Sequence, residues 1–175
     1  MDSFSRRFLL TLPAAALASR LDAVQLPRPA IPLTFQWADG TEGSLKKYAG
    51  KVIAVEMLLT YCHACQSKGK IMESYYREFK NQGLQVIGLA TNDNAEKDIG
   101  NFIAASGATF PIGVISRDKA QEFLQHPMAA IFYLPQLAII DRKGVIRYQH
   151  GGQLKPASDE DAQIRNHIAE LIKAK

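Results

Sequence analysis

This 175-residue chain has only two cysteines, Cys62 and Cys65, three positions apart. So few thiols exclude a scaffold held together by several bridges. A structural zinc site is disfavoured as well, since it takes four ligands, typically from two such pairs. The other soft ligands are His63, His126, His150 and His167, none of them spaced as a partner pair. No internal repeat is visible, and no lysine/arginine cluster with interleaved aromatics occurs. The formal charge is a dispersed +4, which gives a nucleic-acid partner no support. A hydrophobic fraction of 47% and this length suit one domain with a real core.

The N-terminal stretch "SRRFLLTLPAAALAS" follows a different pattern. Arg6 and Arg7 precede an apolar run from Phe8 to Ala18, and Ala16-Leu17-Ala18 supplies a small-x-small cleavage site. This reads as a secretory signal whose paired arginines partly match a twin-arginine leader. The apolar part is about half of the ~20 residues a membrane-spanning helix needs. Pro13 interrupts it, so no stable membrane anchor is expected after cleavage. Export to the periplasm or another extracytoplasmic space takes the cysteine pair out of the reducing cytosol. Residues 1–18 are assigned to the signal, 19–30 to a Pro-rich linker and 31–175 to the folded domain.

Along that domain, Ile31, Leu33, Phe35 and Trp37 alternate with period two, as in a strand, and "ADGTEG" is a turn. "KVIAVEMLL" is nearly continuous apolar, as expected for a central strand covered on both faces. Ile71, Met72, Tyr75, Tyr76 and Phe79 recur at helical spacing, and Gly83 is a stop. "LQVIGLA" is a second buried strand. Asp93 and Glu96 make a capping-box-like start to a helix that ends at Gly107. A short strand is expected over 110–114 and a helix over 117–125. "QLAIID", "DRKG" and "VIRYQH" form a hairpin. The final helix starts at Ser158, with Asp159, Glu160 and Asp161 in its first turn and Lys173 and Lys175 at its end, charges that suit the helix dipole. The expected fold is α/β, a central mixed sheet sandwiched by helices with an N-terminal strand extension.

The cysteine pair sits where a strand leads into a helix. A helix N-terminus offers unpaired N–H groups and the positive end of the dipole, and both favour thiolate. Cys62 is therefore the candidate nucleophile. Cys65 lies one turn on, within reach to resolve a mixed disulfide. His63, between them, would stabilise a Cys62 thiolate when protonated. A purely structural bridge closing so short a loop would contribute only roughly 2 kcal/mol. A thiol peroxidase is the weaker alternative, because position 59 is Leu and no proline lies between Pro32 and Cys62. The rival from another class is a non-catalytic binding module that docks a partner or carries a metal, with the sulfur pair static.

The segments "DGTEGSLKKYAGKVIAVEMLLTYCHACQSKGKIMESYYREFKNQGLQVIGLATND" and "YLPQLAIIDRKGVIRYQHGG" resemble the exported TlpA/ResA-type redoxins of the thioredoxin-like superfamily. The resemblance covers nearly all of the chain from Ile31 onward. It implies a thioredoxin-like three-layer sandwich and a thiol–disulfide oxidoreductase acting on protein thiols and disulfides. It also implies a membrane or periplasmic redox partner protein, no cofactor beyond a redox-active Cys62–Cys65 disulfide, and no metal. By the same resemblance Pro135 follows a cis peptide bond and faces the cysteines, and the Leu134 backbone pairs with an incoming peptide. Tyr61 stands where the family usually has tryptophan, beside the substrate. Glu56 matches a buried aspartate of thioredoxins. Burial would raise its pKa and let it take the Cys65 proton.

Overall fold

The computed structural model describes residues 24–152 and 159–174. The signal assigned to 1–18, together with Ser158 and Lys175, lies outside the described residues. The strands are β1 (Arg28–Pro29), β2 (Thr34–Trp37), β3 (Glu42–Ser44), β4 (Val52–Leu58), β5 (Leu84–Ala90), β6 (Ile112–Val114), β7 (Gln136–Ile140) and β8 (Val145–Gly151). The helices are α1 (His63–Phe79), α2 (Ala95–Ser106), α3 (Arg117–Leu124) and α4 (Glu160–Lys173). All the strands join one sheet in the order β1-β8-β7-β4-β5-β6-β2-β3.

The middle of the sheet follows from the apolar runs. Every residue of β4 and β5 is buried, and the two pair in parallel, as a helical crossover requires. Val52, Ala54 and Leu58 of β4 pack with Met72 and Phe79 of α1, Phe102 of α2, and Ile164 and Ile168 of α4. Ile53, Val55 and Met57 turn to the other face, against Phe123 and Leu124 of α3 and Leu33 and Phe35 before and in β2. A strand with a core on each side has no polar face, which is why its sequence does not alternate. β7 adds antiparallel to β4, and the hairpin β7–β8 closes that side. The architecture is thus the expected three layers around a mixed sheet.

Several elements differ from the sequence reading. The Pro-rich stretch ends inside the sheet: Arg28 and Pro29 pair with Ile146 and Val145, and the buried Arg28 guanidinium donates to the Phe123 carbonyl at 2.6 Å. The first alternating segment is a strand only from Thr34, where it finds partners in β3 and β6. The Asp93–Glu96 capping box does not form. Asn94 takes the cap position in the left-handed region, at φ 54°, and makes no side-chain cap bond. The last helix starts at Glu160 with Asp159 at its cap position, and Glu160 and Asp161 pair with Lys68 of α1.

The end of β8 is shaped by a close backbone approach. Gly151 has φ 82°, and a Cβ there would stand 2.2 Å from the Pro135 carbonyl oxygen. Gly144 has a similar φ of 80° with open space around it. Gly144→Ala should therefore cost only the left-handed strain, about 1–2 kcal/mol. Gly151→Ala should cost clearly more, because the backbone against which it packs has to move. Urea unfolding of the two variants side by side measures the difference.

Candidate active site

The site is built at the end of β4. After Leu58 the chain turns at once, and the Cys62 amide donates to the Leu59 carbonyl at 3.2 Å. Cys62 is the N-cap residue of α1, with extended backbone at φ −78° and ψ 120°. Its carbonyl accepts from the Gln66 amide at 2.9 Å, and its Sγ accepts from the Cys65 amide at 3.5 Å. The sulfur thus occupies the place where a cap side chain meets the unpaired N–H groups of the first turn. Both cysteines are free thiols; Cys62 is half-buried, whereas Cys65 is fully buried. The Leu59 amide donates to Cys65 Sγ at 3.4 Å. Burial pushes the Cys65 thiol far above its ordinary range, and the neighbouring Cys62 and Glu56 push in the same direction against the Leu59 N–H.

A polar brace holds this loop. The Thr60 amide donates to Asn92 Oδ1 at 3.0 Å, and Asn92 Nδ2 donates to Thr60 Oγ1 at 3.1 Å. Gln66 Nε2 donates to the Thr60 carbonyl at 3.1 Å, and the Thr91 amide to the Leu58 carbonyl at 2.9 Å. None of these residues stands out in the sequence. Thr60 and Asn92 are 32 positions apart, and only the parallel pairing of β4 and β5 brings them together.

Glu56 lies in β4 on the side of α1 and α4, by the alternation that sends Ala54 and Leu58 there. It is fully buried, and neither carboxyl oxygen has a hydrogen-bond partner. Desolvation raises it from 4.5 to about 8, opposed by the charge of Lys68. Lys68 escaped the sequence reading. It is held by Glu160 Oε2 at 2.9 Å and by Asp161, so α4 positions the cation that acts on Glu56. Glu160 Oε1 also accepts from the Gly151 amide at 2.9 Å, tying α1, α4 and β8 at one point.

The other expected residues are placed as follows. The Leu134–Pro135 bond is cis. Leu134 and Cys62 are both partly buried against the helix-side core, and the Pro135 carbonyl accepts from the Gly152 amide at 3.2 Å. Tyr61 is 69% exposed beside Cys62. His63, the first residue of α1, is exposed as well. In the segment before Pro135, Phe132 is buried but Met128 and Ile131 are exposed.

A thiol pair at a strand–helix junction, a cis proline and a buried acid whose charge bears on Cys65 make up the site. The family model described as Redoxin matches residues 25–168. The chain belongs to the Redoxin family. It is 27% identical over 144 residues to "Thiol-disulfide oxidoreductase ResA" of Halalkalibacterium halodurans, covering 82% of this chain and 75% of that protein. It is 24% identical over 107 residues to "Thiol:disulfide interchange protein DsbE" of Escherichia coli K12, covering 61% and 53%. Among solved structures, a thiol:disulfide interchange protein of the thioredoxin family from Chlorobium tepidum superposes with a TM-score of 0.68 at 20% identity, covering 86% of this chain and 99% of that one. The fold of this redoxin is thioredoxin-like.

The raised Glu56 carboxyl gives stability a definite pH dependence. Between about 4.5 and 8 the folded chain holds a proton that the unfolded chain has released. Glu56 therefore makes its full contribution below pH 4.5; stability falls as pH rises toward 8 and levels off above it. The loss amounts to at most about 5 kcal/mol. Glu56→Gln should abolish this decline and leave the variant more stable than the native chain at pH 9. Urea titrations at pH 4, 6, 8 and 9 measure it. A native chain as steep as the variant across this window would contradict the burial argument.

Proposed function

We propose that this redoxin, a thiol–disulfide oxidoreductase, acts outside the cytoplasm on protein substrates through Cys62 and Cys65. The observation that carries the proposal is Cys62 Sγ as the N-cap of α1, half-exposed, with the buried Cys65 one turn behind it. The signal-like N-terminus and relatives named as thiol–disulfide oxidoreductases support the setting.

In the reducing direction, the Cys62 thiolate attacks one sulfur of a substrate disulfide. A Cys62–substrate disulfide forms, the substrate S–S bond breaks, and the other substrate sulfur leaves as a thiolate that takes a proton from water. Cys65 then gives its proton to ionised Glu56 and attacks Cys62 Sγ. The Cys62–Cys65 bond forms, the substrate's second thiolate leaves, and the cysteine pair is oxidised by two electrons. The oxidising direction is the reverse. Burial keeps Cys65 protonated until a mixed disulfide is in place, so a base close to it is needed. His63 would favour the Cys62 thiolate, and the cis Leu134–Pro135 segment with exposed Tyr61 would seat the peptide.

Cys65→Ser should trap mixed disulfides through Cys62, visible on non-reducing gels, whereas Cys62→Ser should trap none. The native pair should titrate reversibly against a glutathione buffer. A bridge that resists reduction until the chain unfolds, with no trapped species, would instead favour the static binding module. With Glu56→Gln, the resolving step should slow at least tenfold at pH 8. It should also lose the rise with pH that the native chain shows up to about 8.

A further inference from the structure

The two faces of the sheet are covered unequally. α1, α2 and α4 contribute to the core on one side, while α3 is the helix on the other, with the rest filled by the β2–β3 hairpin and the segment around Leu45. A cavity of about 490 Å³ remains on that second side, at the end of β4 away from the cysteines. Ile53, at its wall, precedes Leu58 by five residues of strand, roughly 16 Å. The cavity is within the range of small-molecule sites, about 300–1,000 Å³. Its walls are mainly apolar, with Ile31, Leu45, Ile53 and Ile140 among them, and Ser44 and Tyr48 add hydroxyls.

The unpaired charges around this cavity are of one sign among the described residues. Lys46, Lys51 and Lys143 line it, all three are exposed, and none is in an ion pair among the described residues. Asp141 is the one carboxylate in the lining, and it is already committed. Its Oδ1 accepts from the Lys143 and Val145 amides, each at 2.9 Å, and its Oδ2 accepts from Arg147 Nε at 2.7 Å. Arg142 adds a further fixed cation, its guanidinium bound to the carbonyls of Gly50, Gln82 and Ile172. An aliphatic pocket with a cationic edge and no free anion is complementary to an aliphatic chain ending in an acid.

From this we infer a second binding site, separate from the cysteines, for a free single-chain aliphatic carboxylate. The tail lies along Ile53 and Ile140, and the carboxylate meets Lys51 and Lys143. The inference does not depend on the redox reading, since no residue of the site touches the thiol pair.

Calorimetric titration of the full chain with decanoate, below its micellar concentration, tests the assignment. Saturable one-to-one binding is expected, with decyltrimethylammonium giving none. The exposed double variant Lys51→Glu, Lys143→Glu should bind decanoate at least tenfold more weakly, with unchanged thermal melting and unchanged disulfide exchange. Ile31→Trp, which fills the cavity, should abolish binding without removing the charge. Absence of saturable binding, equal binding of the cationic analogue, or an unchanged affinity in the lysine variant would overturn the site. So would sedimentation showing that a second copy of the chain covers this face.

Discussion

Glu56 is an acid without a hydrogen-bond donor in the middle of a fully apolar strand. A carboxylate placed there cannot be solvated, so the group keeps its proton to a pH near 8. Cys65, close enough for its ionisation to be opposed by Glu56, is subject to the same desolvation. Two acids in one dry space can pass a proton between them once one is ionised, but both cannot be charged together. Lys68 is the cation that makes one charge tolerable. Its ammonium is bound by Glu160 and Asp161 and acts on Glu56 only through its charge, so the N-terminus of α4 limits how far it can stabilise Glu56. The proton affinity at the centre of the sheet is thereby set from an element about a hundred residues further along the chain.

The sequence showed best whatever depends on local pattern. β4 and β5 are continuous apolar runs because each has a core on both faces, and Gly83 and Gly107 stop their segments by accepting left-handed backbone. Cys62, Cys65 and Glu56 were legible for the same reason, being rare or misplaced residue types within a clear strand–helix pattern. Tertiary pairing was not legible. β1 is two residues long and exists because β8 offers it an edge. The Thr60–Asn92 brace and the Lys68–Glu160 pair join residues 32 and 92 positions apart. The capping box over Asp93–Glu96 had the right spacing, yet the loop leaving β5 brings Asn94 in with left-handed backbone, which removes the geometry the box needs.

The segment before Pro135 divides between core and surface. Phe132 is buried, its ring tilted against that of His126 with centroids 5.0 Å apart and lying beneath the Arg117 guanidinium. Its neighbours Met128 and Ile131 are exposed. Apolar side chains thus stand exposed in the segment that leads to the cis Leu134–Pro135 bond.

The cap itself bears on the direction of electron flow. In the reduced chain the Cys65 amide donates to Cys62 Sγ, and a Cys62 thiolate would accept this bond more strongly than a thiol. A disulfide sulfur is a poorer acceptor, so the interaction belongs mainly to the reduced state. An N–H bond of about 1 kcal/mol to sulfur in one redox state alone displaces a two-electron couple by roughly 20 mV toward the oxidising side. The buried Cys65 adds nothing to this, because its own ionisation is disfavoured and the reduced pair can hold only one charge. The two sulfurs thus differ in setting: the helix N-terminus gives Cys62 a donor, and the core keeps Cys65 neutral. Any substitution that moves the first turn of α1 relative to β4 changes both settings at once.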